Sequence, residues 1–470
     1  MIESSELHDL ELTELATRIR RREVSPLEVV HAQLQRIATL DPQLASFAHV
    51  SPDLAIAQAE QATREIAAGK WRGPLHGIPI GLKDLCWTRD LPTAAGTSIY
   101  RDWYPANDAT VVQRLKEAGA VLLGKLQLTE GAYSDHHPSV VAPKNPWNPA
   151  YWPGISSSGP GVAIAAGLCH GAIGSDTGGS IRWPCAANGI TGLKPTWGRV
   201  SRYGVFELAP SLDHVGPMAR SVADCAVLLK AIAGADVADP TALLDSVPDY
   251  TACVAEGLRG LRIGVDRAWN EVDVDASTQA MLVEALGAFR AMGGEIVEVS
   301  LPEVGNTSAD WFVNCAIEAS VAHEKTYPAR ADEYGPVLAA VLDAGRAFTA
   351  SEYQAVVLRR MALRGKMSAS LAAVDAVLMP VQPFAPLSLE TIRTLGEQPQ
   401  LIAQLQRYTC PFDMTGHPTL TLPGAFSKLG LPMGFQLVAA HLNESTLIRI
   451  GAAFQRETTW HRHRPSLKMR

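Results

Sequence analysis

The stretch GSDTGGSIR, at residues 174–182, is the most informative part of this sequence. Its paired glycines, Gly178 and Gly179, permit a tight turn in which several backbone N–H groups converge on one point, because glycine tolerates dihedral angles that other residues avoid. Converging donors of this kind can stabilise the oxyanion that forms when a nucleophile attacks a carbonyl group. Ser180, at the end of the turn, supplies a hydroxyl that could be that nucleophile.

A second stretch, PGISSSGPG at residues 153–161, lies one short helix-forming run before the first. A serine nucleophile needs a base, and no histidine lies at an informative spacing. The alternative base is Lys83, because the apolar run at residues 78–82 predicts a strand that carries it into the core, where a lysine favours its neutral form. Ser156 could then relay a proton between Ser180 and Lys83. From the residues alone, ordinary turns and a surface lysine remain open interpretations.

Composition and charge exclude several classes of protein. The 470 residues include 41 Lys and Arg against 48 Asp and Glu, so the formal net charge of −7 attracts neither nucleic acid nor a membrane surface. Seven scattered cysteines without a C-x-x-C pair argue against disulfides or a thiolate metal site and favour a cytoplasmic location. The first six residues lack the pattern of a signal peptide.

GAVLLGKL, at residues 119–126, fails as a phosphate-binding loop because Leu126 stands where Ser or Thr would hold magnesium.

Helical segments alternate with short apolar runs, which indicates an α/β fold. SPLE at residues 25–28 predicts a helix that begins with a capping box. The chain is interpreted as one domain made of four segments. Residues 1–69 form a helical N-terminal segment, and residues 70–225 form a core that holds the candidate catalytic residues. Residues 226–400 are variable and mainly helical, and residues 401–470 form a C-terminal core segment. Residues 380–400 could be a mobile flap over a site or an ordinary surface connection.

Together these stretches resemble the amidase signature family of serine hydrolases, whose pattern is approximately G-G-S-S-G-G-S, then G-T-D-x-G-G-S-I-R-x-P, then G-L-K-P-T-x-G-R-V-S. The chain has GISSSGP at residues 154–160, GSDTGGSIRWP at residues 174–184 and GLKPTWGRVS at residues 192–201. Further matches run from about residue 65 to the C-terminus and are weakest across residues 235–400. The resemblance implies a large twisted mixed β-sheet flanked on both sides by α-helices, and it implies no metal and no cofactor.

The resemblance also assigns roles to residues. It implies that Ser180 is the nucleophile, Ser156 the relay serine next to a cis peptide bond, and Lys83 the base. The remaining implied roles are backbone oxyanion donors, at Thr177, Gly178, Gly179 and Ser180, and supporting residues, at Asp176, Arg182 and Ser157. The chain departs from the family pattern where Ile155 and Pro160 replace small residues, where Ser158 replaces a common glycine and where Asp413 replaces the more usual Asn.

The substrate is less well determined. Aromatic and apolar side chains in loops that should border the site favour small, uncharged aryl or alkyl amides, and they could equally be packing; the candidate substrate-binding residues are Tyr133, Trp152, Ile155 and Trp183. Esters and carbamates are plausible for the same chemistry. Two alternatives stay open: the glutaminase subunit of a tRNA-dependent amidotransferase, and a catalytically silent scaffold. The sequence leaves open whether the chain is a monomer or a homodimer.

Overall fold

The computed structural model describes residues 7–467. The prediction about a signal peptide concerns residues 1–6, which lie outside the described residues, as do residues 468–470. None of the helices in the described part combines the length and the apolar character needed to cross a bilayer.

A single mixed sheet organises the described residues, and its eleven strands come from most of the chain. The strands are β1 (Phe47–Val50), β2 (Pro79–Lys83), β3 (Val121–Leu126), β4 (Gly171–Asp176), β5 (Thr191–Lys194), β6 (His214–Ala219), β7 (Arg262–Val265), β8 (Glu295–Glu298), β9 (Ala376–Pro380), β10 (Thr419–Phe426) and β11 (Pro432–Val438). Their spatial order is β1-β3-β2-β4-β6-β5-β10-β11-β9-β7-β8. The pairs β3–β2, β2–β4, β9–β7 and β7–β8 are parallel and the other pairs are antiparallel. The prediction of an α/β fold around a large mixed sheet is confirmed.

Sixteen α-helices lie within residues 7–467. They are α1 (Leu12–Arg20), α2 (Pro26–Leu44), α3 (Pro52–Ala67), α4 (Thr110–Glu117), α5 (Ser158–Ala165), α6 (Arg182–Asn188), α7 (Val222–Ile232), α8 (Arg267–Glu271), α9 (Ala276–Ala291), α10 (Thr307–Ala322), α11 (Pro336–Ala347), α12 (Ala350–Leu371), α13 (Leu389–Arg393), α14 (Pro399–Gln406), α15 (Cys410–Thr415) and α16 (Glu444–Glu457). The predicted capping box forms at the start of α2, where Ser25 and Glu28 each accept a hydrogen bond from the other's backbone N–H.

Both faces of the sheet are covered by helices. In β3, Val121 and Leu123 belong to one apolar cluster and Leu122 to another, because successive side chains of a strand point to opposite faces. The first cluster takes side chains from α2, α3 and α5, and the second takes side chains from α1, α4 and α7. The middle of the sheet is therefore fully buried, so a lysine at the end of one of these strands has little access to water.

The sheet topology brings the two candidate stretches of sequence to the same place. Strands β2 and β4 are parallel neighbours, with Leu82 opposite Ile173, so their carboxyl ends meet at one edge of the sheet. Lys83 ends β2 and Asp176 ends β4. The turn that follows β4 leads directly into α6, and the serine stretch leads into α5.

Candidate active site

Lys83 is completely buried, and its Nζ contacts three hydroxyl groups. It donates to Ser156 Oγ at 2.7 Å, to Ser175 Oγ at 2.8 Å and to Ser157 Oγ at 2.9 Å. Burial lowers the pKa of Lys83 from 10.5 to about 7, although the nearby carboxylate of Asp176 acts in the opposite direction. A large share of Lys83 is therefore neutral at physiological pH, and a neutral amine can accept a proton.

The hydroxyl pattern around Lys83 depends on its protonation state. An ammonium has three hydrogens and can donate to all three serines, whereas a neutral amine has two hydrogens and a lone pair that accepts one. Ser157 Oγ already donates to the carbonyl oxygen of Ser175 at 3.1 Å, so its hydrogen is in use. When Lys83 is neutral, the hydroxyl that donates to it therefore belongs to Ser156 or to Ser175.

The serine stretch approaches the nucleophile candidate through its backbone. The peptide bond between Ile155 and Ser156 is cis, and Ser157 N donates to the carbonyl oxygen of Ser180 at 3.3 Å. Ser180 is 7% exposed, and its hydroxyl makes no hydrogen bond to another described residue. Lys83, Ser156 and the turn that carries Ser180 are thus assembled in one buried region.

The turn between β4 and α6 is held by a buried ion pair. Both oxygens of the Asp176 carboxylate accept hydrogen bonds from Arg182, at 2.8 Å and 3.0 Å, and also from the backbone N–H groups of Gly179 and Ile181, at 2.7 Å and 2.9 Å. Burial raises the pKa of Asp176, but Arg182 and these donors outweigh burial and keep the pKa well below its ordinary value. Asp176 therefore stays ionised and fixes the shape of the turn.

The four candidate oxyanion donors are not equivalent. The N–H of Gly179 is occupied, since it donates to Asp176. The backbone N–H groups of Thr177, Gly178 and Ser180 make no hydrogen bond to another described residue, although all three residues are buried. Buried backbone donors are nearly always paired, so these three N–H groups are available to an acceptor from outside the described chain.

Two groups of aromatic side chains flank this turn. On one side, the indole of Trp311 donates to the carbonyl oxygen of Thr177 at 2.7 Å and stacks on Tyr133, with ring centroids 6.4 Å apart. On the other side, Trp152 and Trp183 pack against each other, with centroids 5.9 Å apart, and Ile155 packs onto their cluster. Of the four side chains predicted to border the site, Trp183 lies against Gly179 of the turn, Trp152 and Ile155 belong to the cluster of Trp183, and Tyr133 reaches the turn through Trp311.

Sequence reasoning missed three parts of this region. Ser175 was not identified because only the register of β4 shows that it contacts Lys83. Trp311 comes from α10, in the part of the chain where the sequence pattern is weakest. Asp413, on α15, accepts a hydrogen bond from Arg182 at 2.6 Å, and this buried link to the turn had no local signal beyond the unusual residue type.

Residues 380–400 contain the short helix α13 and lie against the apolar side of the site. Leu389 N donates to the carbonyl oxygen of Ala150 at 2.9 Å, and Trp152 N donates to that of Leu387 at 3.0 Å. The segment is thus attached to the loop that precedes the serine stretch. Whether it moves as a flap stays a prediction.

Comparison with known proteins identifies a family whose model matches most of this chain. The family model described as Amidase matches residues 28–448. "Putative amidase AmiD" of Mycobacterium tuberculosis (strain ATCC 25618 / H37Rv) is 49% identical over 465 residues, which cover 99% of this chain and 97% of the relative. The A-type subunit of glutamyl-tRNA(Gln) amidotransferase from Geobacter sp. (strain M21) is 36% identical over 480 residues, covering 97% of this chain and 99% of the relative.

Solved structures give the same result. Native peptide amidase from Stenotrophomonas maltophilia superposes with a TM-score of 0.82 at 32% identity, covering 95% of this chain and 96% of that one. 6-Aminohexanoate cyclic dimer hydrolase superposes with a TM-score of 0.88 at 26% identity, covering 97% of this chain and 99% of that one. Both similarities extend over nearly the whole length of each chain.

Proposed function

The chain belongs to the amidase signature family of hydrolases, and we propose that it cleaves the C–N bond of small, uncharged aryl or alkyl amides through an acyl-enzyme formed on Ser180. The observation that carries this proposal is the contact between the buried Nζ of Lys83 and Ser156 Oγ, 2.7 Å apart, beside the turn that holds Ser180. A neutral amine, a relay hydroxyl and a free hydroxyl are the groups that this reaction needs.

In the first half of the reaction, the Ser180 hydroxyl attacks the amide carbonyl while its proton passes through Ser156 to Lys83. The carbonyl oxygen becomes an oxyanion, which the free N–H groups of Thr177, Gly178 and Ser180 can bind. The occupied N–H of Gly179 has a supporting role, since its bond to Asp176 keeps the turn in shape.

In the second half, protonated Lys83 returns the proton through Ser156 to the leaving nitrogen, because an amine anion is too basic to depart. The C–N bond breaks, the amine leaves and Ser180 carries the acyl group as an ester. Water then attacks this ester with the same proton relay, which releases the acid and restores Ser180. Every proton taken up by Lys83 is returned, so the cycle requires no other group.

The same machinery extends to esters and to carbamates, since both contain a carbonyl that Ser180 can attack and that the turn can stabilise. An alkoxide leaves more readily than an amine anion, so an ester depends less on the returned proton. We therefore include esterase and carbamate hydrolase activity in the proposal. The apolar and aromatic surroundings of the turn, at Tyr133, Trp152, Ile155 and Trp183, support uncharged substrates.

The test combines labelling with turnover. A fluorophosphonate probe should add its mass to the purified chain at Ser180, and Ser180→Ala should abolish the labelling. Ser351→Ala, at an exposed serine at the start of α12, is the matched control and should label like the parent. Hydrolysis of at least one member of a panel of p-nitroanilides, esters and carbamates should be lost together with the labelling. No labelling and no turnover across the panel would instead favour a catalytically silent scaffold.

A second candidate is supported by the 36% identity to the A-type amidotransferase subunit of the Geobacter strain. That role would make glutamine the amide donor and would require partner subunits. It is distinguished by measuring ammonia release from glutamine and the hydrolysis of p-nitroanilides by the purified chain alone. Turnover of p-nitroanilides by the chain alone favours the first candidate, and ammonia release from glutamine without turnover of p-nitroanilides favours the second.

A further inference from the structure

Two tryptophans beside the turn of residues 176–182 carry indole N–H groups without a hydrogen-bond partner in the part of the chain that the structure describes. Trp152 and Trp183 are only 4% and 7% exposed, and the Nε1 atom of each is buried without an acceptor among the described residues. A buried indole N–H normally finds an acceptor, and a buried donor without one destabilises the folded state. Two such donors in one cluster therefore need a physical explanation.

The position of the two indoles beside the turn supplies a physical explanation. A Cβ placed on Gly179 would lie 2.7 Å from the ring of Trp183, so this ring lies directly against the candidate oxyanion turn. The two indoles contact each other, and Ile155, which precedes Ser156, packs onto the same cluster. A substrate whose carbonyl sits at Ser180 would extend one of its two substituents towards these rings.

The rest of the cluster is apolar. Residues 381–405, here named the cap, pack Phe384, Leu387 and Ile392 against the cluster that contains the two indoles. The cap is also bonded to the loop before the serine stretch, since Trp152 N donates to the carbonyl oxygen of Leu387. A charged group would lose its hydration against such walls, whereas an uncharged group with one acceptor atom would satisfy an indole N–H.

We propose that Trp152 and Trp183 form a subsite for an uncharged, apolar substituent that carries an ether-type oxygen beyond the reacting carbonyl, as in alkoxy- or aryloxy-substituted amides. This subsite rests on the proposed function, because it holds the substrate of the same reaction. Both indole nitrogens are buried and side chains of the cap pack against the same cluster, so in this proposal the substituent reaches the nitrogens by displacing apolar side chains of the cap. The oxygen accepts a hydrogen bond from an indole, and the remainder of the substituent replaces the displaced apolar contacts.

The main test uses Trp152→Phe and Trp183→Phe, which keep an aromatic ring and remove the N–H. Each variant is assayed on two matched pairs of amides, one varied in the acyl group and one in the amine. The acyl pair is the p-nitroanilides of methoxyacetic and butanoic acid, and the amine pair is the 4-methoxybenzyl and 4-ethylbenzyl amides of one acid. For each amide, kcat/KM of the variant is divided by kcat/KM of the parent enzyme. Comparing these ratios within a pair removes the difference in intrinsic reactivity between the two amides.

We expect at least one variant to lose about tenfold more kcat/KM on the oxygen-containing member of a pair than on its methylene counterpart. Trp87→Phe is the matched control. The indole N–H of Trp87 also lacks a partner within residues 7–467, but its ring packs with Trp103 and Tyr203, away from the two proposed residues. This variant should change both members of each pair equally. Equal losses within both pairs for Trp152→Phe and Trp183→Phe would overturn the subsite.

A binding measurement separates the subsite from the reaction. In Ser180→Ala protein labelled with ¹⁵N-tryptophan, the indole resonances of Trp152 and Trp183 are identified by their loss in the Phe variants. Addition of the 4-methoxybenzyl amide, or of the methoxyacetyl anilide, should move at least one of them downfield, and the methylene counterparts should not. A selective shift without turnover by the parent enzyme would retain the subsite and reject the proposed reaction. Turnover by the parent enzyme without any selective shift would reject the subsite and retain the proposed reaction.

Discussion

Among the described residues, the side chain of Lys83 has no carboxylate partner within hydrogen-bond distance, and its partners can both donate and accept. Its three contacts are all serine hydroxyls, at 2.7 to 2.9 Å. A hydroxyl can either donate or accept, so the same three contacts suit both the neutral and the protonated amine. A carboxylate in the same place would bind the ammonium and raise the pKa again. The surroundings therefore allow Lys83 to gain and lose a proton without rearrangement.

The first prediction concerns the pH dependence of Lys83. Because burial lowers its pKa to about 7, the neutral amine becomes scarce below that pH, and kcat/KM should fall about tenfold for each pH unit there. Lys83→Met should reduce kcat/KM on amides by at least about a hundredfold and remove this dependence. The exposed Lys230, changed to Met, is the control and should keep both rate and profile. A Lys83→Met enzyme with the parent's rates would eliminate Lys83 as the base.

The second prediction separates Ser156 from Ser175, which lie at nearly the same distance from Lys83 Nζ. Ser156→Ala should lower amide hydrolysis more than ester hydrolysis, by about tenfold or more, because only the amine leaving group needs the returned proton. Ser175→Ala is the matched control, and it should affect amides and esters by the same factor. Steady-state rates on an anilide and a phenyl ester of one acid provide the comparison. A larger selective loss in Ser175→Ala would transfer the relay role to Ser175.

At the scale of secondary structure, some elements could be predicted because they depend on local sequence. Strand β2 follows from its apolar run, and α2 follows from the capping box at its start. Strands β4 and β6 could not be identified, since GAIGSD and HVGPMA have few β-branched residues. They form because each is paired on both edges within a buried sheet, where tertiary contacts outweigh local preference.

In the candidate site as well, features encoded by local sequence could be predicted and contacts between distant parts of the chain could not. The motif identified the residues that touch the reacting atoms in the proposed mechanism, because their types and spacing are local properties of sequence. Contacts from distant parts of the chain were missed, namely Trp311 on the carbonyl of Thr177 and Asp413 on Arg182. Helix α5 begins at Ser158, inside the stretch PGISSSGPG and earlier than the helix-forming run that follows this stretch, since the buried environment holds the segment in place.

The third prediction concerns the junction of the turn with α6 and α15. Arg182 joins them, donating to Asp176 in the turn and to Thr409 O and Asp413 on the far side. Arg182→Met should lower the free energy of unfolding by about 3–5 kcal/mol, because it leaves the buried carboxylate of Asp176 without its partner. Guanidinium unfolding followed by circular dichroism measures this loss, and amide hydrolysis should be lost as well.

Asp413→Asn is the matched control for this junction. Burial raises the pKa of Asp413 well above its ordinary value despite the contact with Arg182, and one of its oxygens, Oδ1, has no hydrogen-bond partner among the described residues. The amide oxygen of Asn can still accept from Arg182, so the change in unfolding free energy should stay below about 1 kcal/mol. If Asp413→Asn destabilised the chain as much as Arg182→Met does, the junction would depend on the charge of Asp413 and not on that of Asp176.

Across the described residues, the sheet buries two further lysines besides Lys83, namely Lys125 on β3 and Lys194 on β5. Lys194 ends β5, and its Nζ donates to the carbonyl oxygen of His417 at 2.7 Å. Burial lowers the pKa of Lys194 from 10.5 to about 7, with Asp413 acting in the opposite direction. Lys83 and Lys194 thus release protons on folding at a pH where the unfolded chain would keep both. The stability of the whole chain must then depend on pH, whatever reaction it catalyses.

The fourth prediction is that the free energy of unfolding rises with pH between about pH 7.5 and pH 8, below the ordinary pKa of the cysteine thiols. In this window the unfolded chain binds a proton at each lysine that the folded chain has lost, so each contributes a slope of up to about 1.4 kcal/mol per pH unit. Glu130, with a raised pKa of about 7, has largely titrated below this window. Burial raises the pKa of the buried cysteines, such as Cys86, above their ordinary value of 9.0, so their thiols lose protons only on unfolding and oppose the lysines as the pH approaches 9. Guanidinium titrations across this range measure the slope.

Lys194→Met should lower the slope by up to about 1.4 kcal/mol per pH unit, and Lys230→Met, at the surface, should leave it unchanged. An unchanged slope in Lys194→Met would mean that this lysine keeps its proton in the folded chain and is neutralised by the carboxylate of Asp413.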